Sequence, residues 1–236
     1  MSGRFGHPHV HHRLTDSTNA QARALALAGA PDGTIVTAHE QRAGRGRQGR
    51  SWSAPPGKAL LMSAIVRDLT RRDALLPIAV PVAVAEACDD VAGTRCGIKW
   101  PNDIWIAGRK LSGILIEGRP QEGWAVIGIG LNVATPPEEF PAELRDTATS
   151  LLIEAGSEPG VGVVRHAILE ALERRLTDKP TATLAAWRDR DVLRGSPVRW
   201  NGGDGTAAGL DQNGSLLVDT DAGRIALDAG EVHLLR

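Results

Sequence analysis

The sequence of 236 residues contains no tyrosine, two phenylalanines and two cysteines. Two cysteines are too few for a disulfide framework, and no histidine or further cysteine lies near Cys88 or Cys96 at a metal-ligand spacing. Both are therefore predicted to be buried thiols. The 27 lysines and arginines nearly balance the 28 aspartates and glutamates, so no overall positive field attracts nucleic acid. With tyrosine absent as well, a module that stacks RNA bases on aromatic side chains is disfavoured.

Long apolar runs are also missing. None approaches the length of a membrane span, and the first residues, MSGRFGHPHVHH, lack the apolar region of a signal peptide. These absences predict a cytoplasmic protein that does not enter a membrane. The length suits one good-sized domain followed by a small one.

The most unusual stretch is 44–50, which reads GRGRQGR. Glycine lets a ligand approach the main chain closely, and arginine offers planar donors that match carboxylate and phosphate oxygens. Such a segment has little apolar surface to bury, so it is predicted to be mobile until an anion orders it. Taken alone, it fits a phosphate-binding loop, an RNA-binding tail or a solvated loop. We refer to 44–50 as the arginine loop.

Most of the chain reads as alternating strands and helices. A histidine-rich lead-in strand, with His7, His9, His11 and His12, is assigned no function, and Asp16, Ser17 or Thr18 is predicted to cap the first helix with its side chain. Further strands are predicted at 34–38, 58–66, 97–100, 104–106, 110–117 and 124–133. Helices are predicted at 20–28, 75–91, 161–176 and 183–188.

The last 45 residues or so differ from the rest of the chain in that predicted turns recur at short intervals. Turns are predicted at 201–202, 204–205, 213–214 and 221–223, because Asn-Gly and Asp-Gly are strong hairpin signals. They separate predicted strands at 198–200, 215–219, 225–228 and 232–235. A module of short strands this size is too small to be an enzyme core.

Cationic side chains recur around a short motif in the middle of the chain. Lys99 and Lys110 flank Asn102 and Asp103. Together with the arginine loop they suggest a site for a polyanion, in which lysines neutralise charge and the carboxylate holds a divalent ion or accepts a proton. The chain contains no Walker-type loop, and the arginine loop lacks the strand–helix context of a dinucleotide fingerprint.

Five blocks of the sequence resemble those of the biotin protein ligases, in order and in spacing. They are 17–19 (STN), 41–50 (QRAGRGRQGR), 99–103 (KWPND), 109–117 (RKLSGILIE) and 127–132 (IGIGLN). The resemblance implies an α+β fold: a mixed sheet packed with helices, similar to class II synthetases, over 1–189, then a small SH3-like β-barrel over 190–236.

The same resemblance implies a two-step, AMP-forming reaction. The biotin carboxylate attacks the α-phosphorus of ATP, with Mg²⁺, and a lysine of a biotin carboxyl carrier protein then takes the biotinyl group. Lys110, Arg47 and Asp103 would be catalytic, and no protein ligand for a metal is predicted. The expected biotin-binding residues are Ser17, Thr18, Asn19, Gln41, Gly44, Arg45, Gly46, Arg47, Lys110, Gly128 and Gly130. The expected nucleotide-binding residues are Arg45, Arg47, Arg50, Trp52, Lys99, Asn102 and Asn132.

One feature of many such ligases is missing. Only about sixteen residues precede Ser17, too few for an operator-binding helix-turn-helix, so the sequence predicts an enzyme with no nucleic-acid partner. Monomer and homodimer both remain open. The alternative functions are a lipoate or octanoyl ligase of the same superfamily and a non-enzymatic RNA-binding module.

Overall fold

The computed structural model describes residues 3–69, 75–228 and 230–235, whose strands form two sheets. The strands of the larger sheet are β1 His9–Thr15, β2 Ile35–Gln41, β3 Ala59–Arg67, β4 Gly97–Lys99, β5 Asp103–Ile106, β6 Arg109–Arg119 and β7 Trp124–Asn132. The smaller sheet contains β8 Pro197–Trp200, β9 Gly203–Leu210, β10 Leu216–Thr220, β11 Gly223–Leu227 and β12 Val232–Leu234. The helices are α1 Thr18–Leu27, α2 Leu76–Ala92, α3 Leu151–Ala155, α4 Val161–Arg175 and α5 Pro180–Arg188.

The larger sheet is mixed, with the strand order β1-β2-β3-β7-β6-β5-β4. β1 runs parallel to β2, and the other neighbouring pairs are antiparallel. A mixed sheet packed with helices confirms the predicted α+β class. The lead-in strand predicted from the histidine-rich start is also confirmed, because it forms β1 at one edge of the sheet.

The interior strand β3 shows that the sheet is covered on both faces. Met62 and Ala64 belong to the large core that includes residues of α2 and α4, whereas Ile65 belongs to a smaller cluster with Ala22 and Ala26 of α1. Successive side chains of a strand point to opposite faces, so burial throughout requires a layer on each side. This explains why β3 is apolar on both faces apart from Ser63 and the final Arg67.

The helix α2 is almost entirely apolar and is mostly buried. Pro77 lies in its first turn, where a missing N–H costs nothing, Pro81 lies inside it, and Gly93 ends it at a left-handed φ of 62°. The predicted helices at 75–91, 161–176 and 183–188 are therefore confirmed as α2, α4 and α5. The five-residue helix α3 was not predicted.

The smaller sheet is antiparallel, with the order β11-β10-β9-β8-β12. Among the described residues, β11 and β12 do not pair with each other, so the predicted small β-module is an open sheet and not a closed barrel. The turn predicted at 204–205 is wrong. Asp204 and Gly205 pair with Arg199 and Val198 inside β9, because the chain has already reversed at Asn201 and Gly202.

The two sheets share one hydrophobic core. Val198, Ala207 and Val218 of the smaller sheet belong to the same cluster as α2. Trp100 Nε1 also donates a hydrogen bond to the Gly214 carbonyl, at 3.1 Å. The division of the chain into domains at 1–189 and 190–236 stays a prediction. Residues 1, 2, 70–74, 229 and 236 of these predicted domains lie outside the part of the chain that the structure describes.

Both cysteines are confirmed as buried free thiols. The hydrogen bond with the Cys96 thiol, together with burial, raises the pKa of Cys88. Both cysteines are buried, so neither has the exposed surroundings of a reactive cysteine. Across the ranges that the structure describes, no helix is both long enough and apolar enough to cross a membrane.

Candidate active site

The arginine loop connects β2 to β3 and has hydrogen bonds of its own. Gly46 N donates to the Arg50 carbonyl at 2.7 Å, and Trp52 N donates to the Gly44 carbonyl at 2.9 Å. A short 3₁₀ turn covers Arg47–Gly49, and Gln48 inside it has a left-handed φ of 54°. These contacts give the loop a defined shape. That the loop is mobile until an anion orders it stays a prediction.

A cavity of about 360 Å³ lies beside this loop, at the face of β6 and β7. Its size is within the range of small-molecule sites. Every predicted site residue except Gly44 lines it: Ser17, Thr18, Asn19, Gln41, Arg45, Gly46, Arg47, Arg50, Trp52, Lys99, Asn102, Asp103, Lys110, Gly128, Gly130 and Asn132. Gly44 stands behind the wall, where a Cβ would lie 2.3 Å from the Trp52 carbonyl oxygen.

A buried hydrogen-bond network forms one end of the cavity, which we call the polar end. Ser63 Oγ lies 2.8 Å from Thr18 Oγ1 and 2.6 Å from Asn19 Oδ1. Gln41 Oε1 accepts from Thr18 N at 2.7 Å and from Thr18 Oγ1 at 3.1 Å. Ser17 occupies the N-cap of α1, but its side chain makes no capping bond. The prediction of a side-chain cap is therefore wrong: the side-chain amide oxygen of Gln41 caps the first N–H instead, and Ser17 lines the cavity.

The two glycines of β7 make room for side chains that form the cavity wall. A Cβ on Gly128 would lie 2.1 Å from Asn19 Oδ1, and a Cβ on Gly130 would lie 2.5 Å from Trp52 Cε2. A glycine inside a strand allows another group to approach the backbone closely, and here the approaching groups are a side-chain amide and an indole. The Trp52 Nε1 is buried and has no hydrogen-bond partner among the described residues.

Lys110 stands in the middle of the cavity wall, opposite Asp103. Its Nζ lies 2.7 Å from Asp103 Oδ1 and 5.9 Å from the centre of the Trp52 ring. The two residues face each other because β5 and β6 form a hairpin. The backbone of Lys110 is held in turn, since its N–H donates to Thr147 and its carbonyl accepts from Thr149. This ion pair is therefore fixed by strand pairing as well as by charge.

The three arginines of the loop have different partners. Arg45 Nη1 lies 3.3 Å from Glu117 Oε1, and Arg50 Nη1 lies 2.6 Å from Glu231 Oε1. Arg47 has no carboxylate within ion-pair distance among the described residues. Burial lowers the pKa of Arg47 despite the nearby Asp103, so its charge is poorly solvated. An anion in the cavity would relieve that cost.

Lys99 is a second partly buried cation. Its Nζ lies 4.8 Å from the centre of the Trp105 ring, and burial lowers its pKa more than Asp103 and Glu231 raise it. Like Arg47, it lines the cavity and gains from a nearby negative charge.

The opposite end of the cavity contains residues that the sequence did not indicate. Phe140, Leu144, Thr147 and Ala148 come from the irregular segment between β7 and α3, which carries no recognisable motif. Asn132 sits beside them, and its Nδ2 donates to the Thr149 carbonyl at 3.0 Å. Glu231 directly precedes β12 of the smaller sheet. The sequence of this C-terminal part shows no group of residues typical of a catalytic site. Within the described ranges, no group of three or more His, Cys, Asp or Glu side chains could hold a metal ion.

Comparisons with known proteins agree with this arrangement. Residues 12–133 match the model of the biotin/lipoate A/B protein ligase family, and residues 195–235 match that of the biotin protein ligase C-terminal domain. The bifunctional ligase/repressor BirA of Bacillus subtilis is 37% identical over 95% of this chain and 73% of its own length. The biotin–[acetyl-CoA-carboxylase] ligase of Mycobacterium tuberculosis is 36% identical over 94% of this chain and 87% of its own.

A solved structure shares the fold over nearly the whole chain. The biotin protein ligase of Aquifex aeolicus, solved in complex with biotin and ATP, superposes with a TM-score of 0.84 at 26% identity. The match covers 97% of this chain and 98% of the other.

Proposed function

The chain belongs to the biotin/lipoate A/B protein ligase family, and from this premise we propose that its cavity joins biotin to ATP and passes the biotinyl group to a carrier protein. The activity is that of an ATP-dependent biotin protein ligase, which acts on biotin carboxyl carrier proteins. In the first step a biotin carboxylate oxygen bonds to the α-phosphorus of ATP, and pyrophosphate leaves. In the second, a lysine amine of the carrier bonds to the carbonyl carbon of the mixed anhydride, and AMP leaves.

The observation that carries this proposal is Arg47, a partly buried cation without a carboxylate partner among the described residues, in the same cavity as Lys110. Biotin carboxylate and triphosphate repel each other, so their reaction needs positive charge between them. Lys110 can supply it once a phosphate or carboxylate oxygen replaces Asp103. Arg47 needs no such exchange, because no ion pair has to break.

Biotin would occupy the polar end. A ureido ring offers two N–H donors and one carbonyl acceptor. Asn19 Oδ1 can accept, and the hydroxyl of Ser17 can donate, because it makes no capping bond. Thr18 and Gln41 fix these groups through the network with Ser63.

The nucleotide would occupy the opposite end. Trp52 and Phe140 offer apolar surface to adenine, and Asn132 offers a polar edge, since its Oδ1 accepts no hydrogen bond from the described residues. Arg50, Lys99 and Asn102 line the phosphate path between the two ends. The indole lies between the ends, over Gly130, where it would meet the bound adenylate.

Asp103 would act in the second step. A free lysine amine has a pKa of about 10.4, so the amine of the acceptor lysine is mostly protonated at neutral pH. The Asp103 carboxylate lines the cavity and can orient that ammonium or take its proton. It is available once Lys110 has moved to the phosphate.

Mg²⁺ is expected to arrive with the phosphates of ATP. The ion typically keeps several waters and binds through one or two carboxylates plus substrate oxygens. Asp103 and Glu231 are the carboxylates that line the cavity, and both are engaged by cations. The donor set fits an ion held mainly by the nucleotide, and its contribution would be to neutralise phosphate charge.

Four further expectations stay predictions: a cytoplasmic location, no operator binding, no nucleic-acid partner, and the choice between monomer and homodimer. Sedimentation with and without biotinyl-adenylate decides the last of these. A gel-shift assay with operator DNA tests the second.

The activity is tested by incubating the protein with biotin, radiolabelled ATP and a carrier domain. Label in pyrophosphate and biotin on the carrier are the expected results. Transfer of lipoate or octanoate in place of biotin would instead support the other ligase activity of the family. Retention of RNA without transfer would contradict both.

A further inference from the structure

Glu117, near the end of β6, lies where the polar end meets the arginine loop, although it does not line the cavity. Its Oε2 accepts a hydrogen bond from Asn19 Nδ2 at 2.9 Å. Its Oε1 lies 3.3 Å from Arg45 Nη1 and 3.5 Å from Arg23 Nη1. The carboxylate is mostly buried, with 22% of its side chain exposed. One group thus touches the wall of the cavity and the first arginine of the loop.

The contact with Asn19 fixes which way the amide points. A carboxylate only accepts hydrogen bonds, so it requires the NH₂ of Asn19 and turns Oδ1 the other way. The Leu115 carbonyl accepts from the same Nδ2 at the longer distance of 3.4 Å and favours the same orientation. That oxygen then accepts from Ser63, and its second lone pair can face the cavity. The amide has little other freedom, because it lies directly over Gly128.

The contact with Arg45 fixes the start of the loop. Almost half of the Arg45 side chain is exposed, so this ion pair by itself contributes little to the stability of the fold. Its effect is on the position of the guanidinium, which it holds beside Glu117 of β6. Arg23, from α1, adds a second positive charge on the same carboxylate.

We propose that Glu117 is a positioning residue that holds the Asn19 amide and the Arg45 guanidinium in one fixed arrangement, and so couples the biotin-binding wall to the arginine loop. The inference rests on the proposed function for the identity of the ligand at the polar end. It goes beyond that function in assigning a role to a residue outside the cavity.

Two substitutions separate the two contacts. Glu117→Gln keeps an oxygen that accepts from Asn19 but loses the charge that holds Arg45. We expect trypsin to cleave the loop of the ligand-free variant about threefold faster, the effect of a weak ion pair, while the Kd for biotin stays within about twofold of the wild-type value. Glu117→Ala loses both contacts. We expect the same faster cleavage and a Kd for biotin raised roughly tenfold, as for a lost hydrogen bond to a charged group.

Glu122→Gln is the matched control. Glu122 also accepts from one neutral N–H, Trp124 Nε1 at 2.9 Å, and pairs with one arginine, Arg119 Nη1 at 2.8 Å, but neither partner belongs to the polar end or to the arginine loop. We expect neither cleavage nor biotin affinity to change in this variant. A purely structural role for Glu117 would lower the Tm and move both measurements together in both variants.

Each measurement tests one of the two contacts of Glu117. Wild-type cleavage in Glu117→Gln would refute the hold on Arg45, and wild-type biotin affinity in folded Glu117→Ala would refute the hold on Asn19. If Glu117→Ala does not fold, Glu117→Gln is the deciding variant. A rise in its Kd for biotin by the same factor as the rise in its cleavage rate would show that the contacts with Asn19 and Arg45 do not have separate roles. If the wild-type protein binds no biotin, the proposed function is wrong, whereas the cleavage comparison still tests the contact with Arg45.

Discussion

Lys110 and Asp103 form an ion pair across the β5–β6 hairpin, with Nζ and Oδ1 2.7 Å apart. The two groups that we propose to act at different steps therefore pair with each other. In the proposed reaction, an incoming phosphate would compete with Asp103 for Lys110, and the exchange would leave the carboxylate free. Binding of the first anion would thereby prepare the group proposed for the second step.

Substitutions of these two residues are expected to affect different half-reactions. Lys110→Ala should slow biotin-dependent formation of the adenylate at least about 100-fold, because one positioned charge is lost. Asp103→Asn should slow transfer to the carrier more than it slows adenylate formation. Pyrophosphate exchange measures the first step, and single-turnover transfer from preformed biotinyl-adenylate measures the second.

Lys179→Ala, at an exposed lysine outside the cavity, is the control for both measurements. Near-normal adenylate formation by a folded Lys110→Ala variant would remove Lys110 from its assigned role. Equal losses in both steps for Asp103→Asn would show that the carboxylate has no separate part in transfer.

Alanine at either glycine of β7 should disturb a different substrate. Gly128→Ala would push the Asn19 amide, and Gly130→Ala would push the Trp52 indole. We expect the KM for biotin to rise roughly 10- to 100-fold in the first variant, and the KM for ATP to rise by a similar factor in the second, since small displacements at a site are costly. Steady-state kinetics with each substrate varied in turn provides the measurement.

Gly123→Ala is the control for strain, because a Cβ there meets nothing within 4 Å. Its left-handed φ of 72° makes the substitution unfavourable for the backbone alone. If Gly128→Ala and Gly130→Ala raised both KM values equally, the assignment of the two ends would be wrong.

Ligand binding should protect the arginine loop from trypsin. The loop offers three arginines and has few hydrogen bonds that tie it to the rest of the protein. With biotin or biotinyl-adenylate bound, Arg45 and Arg47 gain an anion, and the loop closes over a product that water would otherwise hydrolyse. Cleavage after residues 45, 47 and 50, followed by mass spectrometry, should slow several-fold, and equal rates with and without ligand would refute the closure.

Asp191 should limit stability at neutral pH. Its Oδ1 accepts from Leu193 N at 2.9 Å, whereas its buried Oδ2 has no hydrogen-bond partner among the described residues. Burial raises the pKa of Asp191, so the unfolded chain releases this proton first as the pH rises. The stability that the protonated form provides is complete below the pKa of the unfolded chain, and it is lost as the pH rises through the folded pKa.

Asp191→Asn imitates the protonated form. We expect the Tm at neutral pH to rise by about 2–4 °C, which corresponds to the cost of about 1 kcal/mol for one buried unpaired atom. The gain should disappear below about pH 4, where the wild-type carboxyl is protonated in both states. Asp146→Asn, at an exposed position, should show no gain at either pH, and a gain at low pH in Asp191→Asn would contradict the explanation.

Local sequence patterns predicted most of the elements. Alternating or continuous apolar residues indicated β3 and β7, and the apolar helix α2 followed from the same signal. The prediction was wrong at Asp204 and Gly205, because a turn dipeptide within a hairpin arm is decided by strand register and not by its own preference. The open form of the small sheet was missed for a similar reason, since closure depends on edges that never meet in sequence.

The sequence by itself determined which residues gather at the site, because charged, amide and glycine positions recur in blocks that resemble a known family. Only the tertiary structure decided how they are paired: Arg45 with Glu117, Arg50 with Glu231, Lys110 with Asp103, and Arg47 with no carboxylate among the described residues. Pairings between residues up to 181 positions apart leave no periodic signal in a chain. They depend on the packing of separate elements, and so does the place of Phe140 and Leu144 at the far end of the cavity.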